Sequence, residues 1–456
     1  MGGWTMARLQ AGTSAVPLPL AIGEPMMGYG LRHGGAESLH DALHARALYL
    51  RGETDCLIVT LDVCLIASAQ AEQVRAALAA ATGVPRERVV VTCIHTHSGP
   101  DTGIVALAAG KPVPERVAAL LEAAVRAGRE AFEAAGPATL GLAHAEARIG
   151  RNRRVADGPL DPDVLVLRID DARGAPLAVA YAHGCHPTAL GPENLAWSAD
   201  WPGAAAARIA EALPGANPIF LLGAHADVDP RTRAVKDLAE SGKTSGVGFE
   251  ETARLGHELA DAVARAASDA RPEPAAPVGA CSSRVTLRAH GESEEERRAA
   301  LAALGLPEDE RPGTDAWFRH ERERTQGLAP ADRRERIARV RRYLRGRLAK
   351  RFAGGEKAEV EVQALRVGDA RFAALPLEAT VDVGRDWKAR VGTPHAAVLS
   401  IANGWLRYLP HTRNFEEPGA HTHYEVLMST FEPDAATQLL DLAERLDARL
   451  AQELGA

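Results

Sequence analysis

Two imidazoles stand one residue apart in Ile94-His95-Thr96-His97-Ser98-Gly99-Pro100, at the end of the apolar run Arg88–Ile94. Residues i and i+2 of an extended chain project to the same side, so His95 and His97 can converge on one point. A second pair follows Leu177–Ala182 in His183-Gly184-Cys185-His186-Pro187-Thr188. Imidazole nitrogen suits zinc and other borderline transition metals, and a catalytic zinc takes about three protein ligands and keeps a position for water. A third ligand is then expected at another strand end, as a carboxylate or a histidine. Glu378, after the run Phe372–Leu377, fits that place. It fits equally as an acid at a helix start. Tyr408 and Tyr424 lie in a polar segment that also carries His411, His421 and His423. A tyrosine there can bind a metal, donate to an oxyanion, or pack in the core. Short His-x-His pairs also arise as strand-end histidines bonded to the backbone. Two such clusters in one chain favour the metal reading. Cys185 reads as a small buried residue rather than a soft ligand.

Other chemistries fall away. Gly242-Lys243-Thr244-Ser245-Gly246 is not a phosphate loop, because Asp237 holds the place of the first glycine, and Thr244 takes the place of the serine in a nucleophile elbow. His257-Glu258 does not continue to a second histidine. Cys56, Cys64, Cys93, Cys185 and Cys281 form no Cys-x-x-Cys pair, which argues against a disulfide framework and a thiolate zinc knuckle. A net charge of -7 argues against nucleic acid or an anionic membrane as partner, and 4% aromatic residues leave little for base stacking. No run approaches the roughly 18 to 20 apolar residues of a membrane span. Ala11–Pro19 holds two prolines and two hydroxyls, a poor core for an export signal, so a cytoplasmic location is expected.

The elements that must carry these residues alternate. Cys56–Leu61, Arg88–Ile94, Val164–Ile169, Leu177–Ala182 and Ile219–Leu222 read as strands. Helices are expected over Ala67–Ala81, Glu115–Ala134, Gly203–Leu213 and Gly248–Ala267. Near-continuous apolar strands alternating with alanine-rich helices predict an α/β fold of layered mixed sheets flanked by helices. A proline-rich connector, Arg271–Pro277, leads to a strand at Ala280–Ala289 and then to a charged stretch, 292–357, expected as a helical insertion with an exposed helix over Asp332–Phe352. Strands at Glu359–Val367, Phe372–Leu375 and Ala396–Ile401 and an amphipathic helix over Ala435–Leu450 complete the pattern. With 46% hydrophobic residues and no repeats, 1–456 reads as one domain carrying that insertion.

The order of these pieces resembles the catalytic domain of the neutral/alkaline ceramidase family. The matching segments are Met27-Gly28-Tyr29-Gly30, Leu39–Ala47, His95–Pro100, Asn152-Arg153, His186-Pro187-Thr188, Asp200-Trp201-Pro202-Gly203 and Ala226–Pro230. They continue with Leu375-Pro376-Leu377-Glu378, Ala402–Tyr408 and Tyr424-Glu425, so they run in order along nearly the whole chain. The resemblance implies zinc held by His95, His186, Glu378 and Tyr408. It also implies His97 as the group that moves protons, with Tyr424 and Arg153 facing the substrate. The implied reaction is hydrolysis of a linear amide by metal-activated water, on a small-molecule or lipid-like substrate. The same activated water would serve an esterase or lactonase, and a non-catalytic metal-binding homologue is the third alternative.

Several features depart from the family pattern. The segment between Tyr408 and Tyr424 is longer and carries three additional histidines, and His225 stands where relatives have a small or amide residue. The family's C-terminal immunoglobulin-like domain is expected to be absent. Arg407–Glu425 and Trp317–Arg342 are expected to shape the pocket, for a substrate smaller or more polar than ceramide. Asp200 reads as an N-cap ahead of Pro202. The sequence assigns no role to His183 and does not settle whether a second metal binds. Oligomeric state is equally illegible, an exposed insertion being compatible with a homo-oligomer.

Overall fold

A computed structural model of the chain describes residues 8–29, 32, 34–108, 112–232, 247–290, 298, 301, 302, 305, 327–329, 332, 335, 336, 353, 355–420 and 423–455. The helix expected over Asp332–Phe352 lies outside the described residues apart from 332, 335 and 336, as do most of Trp317–Arg342 and His421.

Eight strands build the larger sheet: β1 (Gln10–Pro17), β2 (His44–Arg51), β3 (Asp55–Leu61), β4 (Val89–Cys93), β5 (Gly136–Glu146), β6 (Asp163–Asp171), β7 (Pro176–His183) and β8 (Asn217–Leu222). They lie in the order β8-β7-β6-β5-β1-β2-β3-β4. The pairs at the two ends, β7 with β8 and β3 with β4, are parallel, and the pairs between them are antiparallel. A smaller mixed sheet follows from β9 (Val278–Arg288), β10 (Lys357–Val367), β11 (Ala370–Ala374) and β12 (Ala396–Leu399), in that order.

The burial pattern explains why these strands read as continuous apolar runs. Leu57, Val59 and Leu61 pack on one face of β3, against α1 (Ser68–Thr82) and α2 (Arg116–Glu133), while Cys56 and Ile58 face the smaller sheet. The same alternation divides Val164 and Val166 from Leu165, Leu167 and Ile169 on β6. A strand covered on both faces needs apolar side chains at every position. The helices α3 (Asp200–Ala212) and α4 (Phe249–Asp269) complete the outer cover. Beyond the smaller sheet, Val360, Val362 and Leu375 pack with Trp387 of α5 (Val381–Val391) and with Leu439, Leu446 and Leu450 of α6 (Ala435–Leu454). The result is four layers: helices, large sheet, small sheet, helices.

The first strand occupies the segment weighed against an export signal. Gly12 explains its composition, because a Cβ there would stand 2.1 Å from the Ala131 carbonyl oxygen of α2. Small residues let the helix sit directly on β1.

Segment 400–403 ties the two ends of the large sheet together. The Ser400 N–H donates to Leu222 O of β8 at 2.9 Å, and the Thr92 hydroxyl of β4 donates to Ser400 O at 3.1 Å. Asn403 then acts as one residue of an extra strand along β4, its N–H donating to Val91 O and its Oδ1 accepting from Val91 N–H. The carboxyl ends of β4, β7 and β8 therefore open onto one place, where ligands usually bind in α/β sheets.

Candidate metal centre

His95, His186, His225 and Glu378 meet there, all buried, with their donor atoms within 4.8 Å of one another. Each arrives by the same local device, a short excursion after a buried strand. His95 follows β4, His186 follows β7, His225 follows β8, and Glu378 follows β11.

The three imidazoles are oriented alike. Nδ1 of His95 donates to Cys64 O at 2.8 Å, Nδ1 of His186 to His225 O at 2.9 Å, and Nδ1 of His225 to Gly223 O at 3.0 Å. A proton fixed on Nδ1 leaves Nε2 with its lone pair. All three Nε2 atoms face one carboxylate oxygen: Glu378 Oε2 lies 3.4 Å from His95, 3.6 Å from His186 and 3.7 Å from His225. Glu378 Oε2 and His225 Nε2 are buried without a hydrogen-bond partner. Lone pairs aimed at a carboxylate oxygen are unfavourable unless something positive stands between them. A proton on His95 answers one contact; a divalent cation answers all of them. The spacing suits one, since donors 2.0–2.2 Å from a shared ion stand about 3.3–3.6 Å apart in a tetrahedron.

The electrostatics agree. Burial, with Arg153 and His225 nearby, pushes His186 down to about 3, and burial likewise lowers His225, so both imidazoles are neutral. Burial opposes charge on Glu378, but His95 and the imidazoles around it hold its carboxyl well below the usual range. Burial also opposes charge on His95, and Cys64 and Glu378 outweigh it and raise that ring.

Backbone strain fixes the set. His95 adopts φ 69°, a left-handed conformation rare outside glycine, while its N–H donates to Val63 O at 3.0 Å. Convergence with His97 is therefore real but does not come from an extended chain: the turn at His95 brings the two Nε2 atoms to 3.3 Å. His97 is seated by Tyr29, whose ring stands edge-on at 4.9 Å, and by Gly28, where a Cβ would fall 2.4 Å from His97 Cγ. Opposite, Ile401, Asn403, Gly404 and Arg407 all have positive φ. That contorted stretch delivers Trp405, whose indole N–H donates to Glu378 Oε1 at 2.7 Å and leaves Oε2 for the histidines.

Tyr408 pairs with Glu378 in a short parallel ladder, and its ring lies 5.2 Å from that of Tyr424. Arg153 stands over both rings, at 6.0 and 5.6 Å. Its Nε donates to Glu425 at 2.7 Å and its Nη1 to Asp229 at 3.3 Å, while Nη2 is buried without a partner. Burial and Glu378 raise the Tyr408 phenol well above its ordinary value, so it carries its proton.

The other segments that carry the family resemblance are scaffold. Asp41 accepts from the Ser198 hydroxyl and from Ala199 N–H. Asp200, at φ 58°, is not the N-cap expected of it, a place Ala199 takes; it is the first residue of α3 and accepts from Trp201, Ala189 and Leu190 N–H, so it pins the His186-Pro187-Thr188 loop. Asp227 accepts from Asn152, Arg154 and Val381 N–H, joining three of the segments around the centre. His411 and His423, the described histidines of the long tyrosine-to-tyrosine segment, lie apart from the cluster: His411 caps a short helix and His423 faces Glu417. Cys185 is buried, as expected, and so is His183 beside it.

The sequence assigns no role to His225, yet it carries a usable signal. The residue stands three positions after an apolar strand, as His186 does.

Comparison of the sequence with protein families and with curated proteins gives no match. Two solved structures share the fold. Neutral ceramidase from Pseudomonas aeruginosa superposes with a TM-score of 0.72 at 20% identity, over 98% of this chain and 75% of that one. A ceramidase complexed with C2 does so with a TM-score of 0.72 at 19% identity, over 98% and 76%. The architecture of this chain is the ceramidase-like α/β fold.

Proposed function

We propose that the protein is a zinc-dependent hydrolase of linear amide bonds. The observation that carries this reading is the convergence of imidazole lone pairs on Glu378 Oε2 beside His97. His95, His186 and Glu378 would hold the ion, with Tyr408 on the strand that pairs with Glu378. When bound, zinc supplies a Lewis acid for a carbonyl and brings the pKa of a water down towards about 7. The shared fold with two ceramidases supports an N-acyl substrate.

The chain's own groups do the rest. His97, 3.3 Å from His95 Nε2, takes the proton of the attacking water as its oxygen bonds to the acyl carbon, and returns it to nitrogen as the C–N bond breaks. Tyr424 and the protonated Tyr408 offer phenolic donors for the developing oxyanion. Arg153 is already paired with two carboxylates, so its remaining Nη2 suits a neutral carbonyl better than a substrate carboxylate.

The test is metal analysis of the full chain together with turnover of a short-to-long N-acyl series and the matching esters. Bound zinc and amide cleavage are expected, with His97→Ala lowering turnover by about 10²–10⁴. Unchanged turnover in that variant overturns the proton-transfer role. Turnover of esters alone favours the esterase reading, and a chain that neither binds metal nor hydrolyses any of them removes the metallohydrolase reading.

A further inference from the structure

The ceramidase resemblance assigns the fourth coordination place to Tyr408 and gives His225 no role. The geometry points to the reverse. We propose that His225 is the fourth protein ligand, completing a set of three histidines and one carboxylate, and that Tyr408 stays outside the set as a neutral hydrogen-bond donor. This rests on the metal-centre reading above and adds to it a statement about coordination.

Three observations carry it. First, His225 is fully buried and its Nε2 has no partner, although a buried imidazole nitrogen is ordinarily bonded. Second, its ring is held in a ligating orientation. Nδ1 donates to Gly223 O at 3.0 Å, which fixes the lone pair on Nε2, 3.7 Å from Glu378 Oε2. Third, its backbone is built into the rest of the set. The His225 carbonyl accepts from Nδ1 of His186, and the neighbouring Ala226 N–H donates to Ala379 O, next to Glu378. One short turn after β8 thus supplies a donor, orients another ligand and braces the carboxylate strand. Metal-ligating histidines are ordinarily oriented in this way, by a carbonyl or carboxylate on the far ring nitrogen.

Tyr408 has a different setting. Its ring packs against Tyr424 beneath Arg153, whereas the three imidazoles share Glu378 Oε2. Three imidazole nitrogens and one carboxylate are donors of the kinds a borderline divalent ion takes, with no need of a phenol. A ligand set without the phenol leaves its O–H to donate.

The test is metal binding rather than turnover. Metal-free full-length protein is titrated with Zn²⁺ against a chromophoric chelator, and with Co²⁺ while the visible bands are recorded. His225→Ala is expected to weaken Zn²⁺ binding at least as much as loss of a group that merely orients a ligand, about 10–100-fold, and to shift the cobalt bands. Tyr408→Phe is expected to leave both unchanged. Circular dichroism and melting of the metal-free variants show whether each folds, and His225→Gln, which keeps bulk and polarity, supplies the same readout if the alanine variant does not. Wild-type affinity and spectrum in the His225 variants, or a spectral change confined to Tyr408→Phe, overturn the assignment while leaving the metal centre standing. A wild-type chain that binds neither ion overturns both.

Discussion

Two polar clusters in this molecule, one part-buried and one fully buried, make opposite use of charge. Where α1 meets β10, Glu361 accepts from both arms of Arg75 at 3.0 Å and from Arg86 at 3.1 and 2.8 Å, and Arg86 also grips Glu72 at 2.6 Å. The leftover Arg75 donors end on Val89 O and Arg86 O. Cations and carboxylates balance, and the donors aimed at Glu361 have their acceptors. Around Glu378, by contrast, each imidazole spends one nitrogen on a backbone carbonyl and points the other at the same oxygen. The first cluster is closed and holds the fold. The second leaves lone pairs unspent and could hold a cation. Burial of ionisable groups marks neither as functional; unspent lone pairs distinguish them.

The contrast breaks most sharply if the open cluster tolerates loss of its acid. Glu378→Gln is expected to abolish stoichiometric metal and lower amide turnover by about a thousandfold or more, the several kcal/mol that a bound Lewis acid supplies. Metal analysis and steady-state kinetics check it. Glu361→Gln should do the converse: it leaves two partly buried guanidinium groups short of an acceptor and costs about 3 kcal/mol in denaturant unfolding, with metal content unchanged. The acid limb supplies a further readout. Burial opposes charge on Glu361, but Arg75 and Arg86 hold its carboxyl far below the ordinary 4.5, so its contribution is present above about 4.5 and is lost as pH falls below it. The variant should show a shallower loss of stability on acidification in that window.

Chelation sharpens the comparison further. Removing the ion from the wild type should lower stability by about 2.7 kcal/mol when the metal was present at about 100 times its dissociation constant. The same treatment should leave the melting of Glu378→Gln unmoved. Equal sensitivity in both proteins would place the ion somewhere other than this cluster.

What the sequence discloses and conceals follows from which forces act locally. Strands buried on both faces announce themselves, as Cys56–Leu61 and Val164–Ile169 do, because each position must be apolar. Strand β1 does not, since Gly12 and its alanines answer to a helix more than a hundred residues away. His95, His186 and Glu378 are legible as polar residues placed after apolar runs. His225 obeys the same rule, but the family pattern has no histidine at that place and so directs attention elsewhere. The positive φ values at Ile401 and Arg407 have no sequence signature, because these residues seldom adopt them, whereas Asn403 ahead of Gly404 is a residue that does.

That contorted stretch carries the smallest and most specific prediction. Trp405 donates to Glu378 Oε1 at 2.7 Å and so favours leaving the other carboxylate oxygen for the histidines. Trp405→Phe keeps an aromatic ring and removes the N–H. If the indole merely fills space, zinc affinity stays as it was. If it orients the carboxylate, affinity should fall by about tenfold, the low end for loss of a group bonded to a metal ligand. Competition titration resolves the difference. The closed cluster offers the control within the same molecule: Glu72 grips Arg86 at 2.6 Å, and its replacement by glutamine should leave zinc affinity untouched. A fall in affinity for both variants would mean that general loosening, not the aim of one oxygen, governs the site.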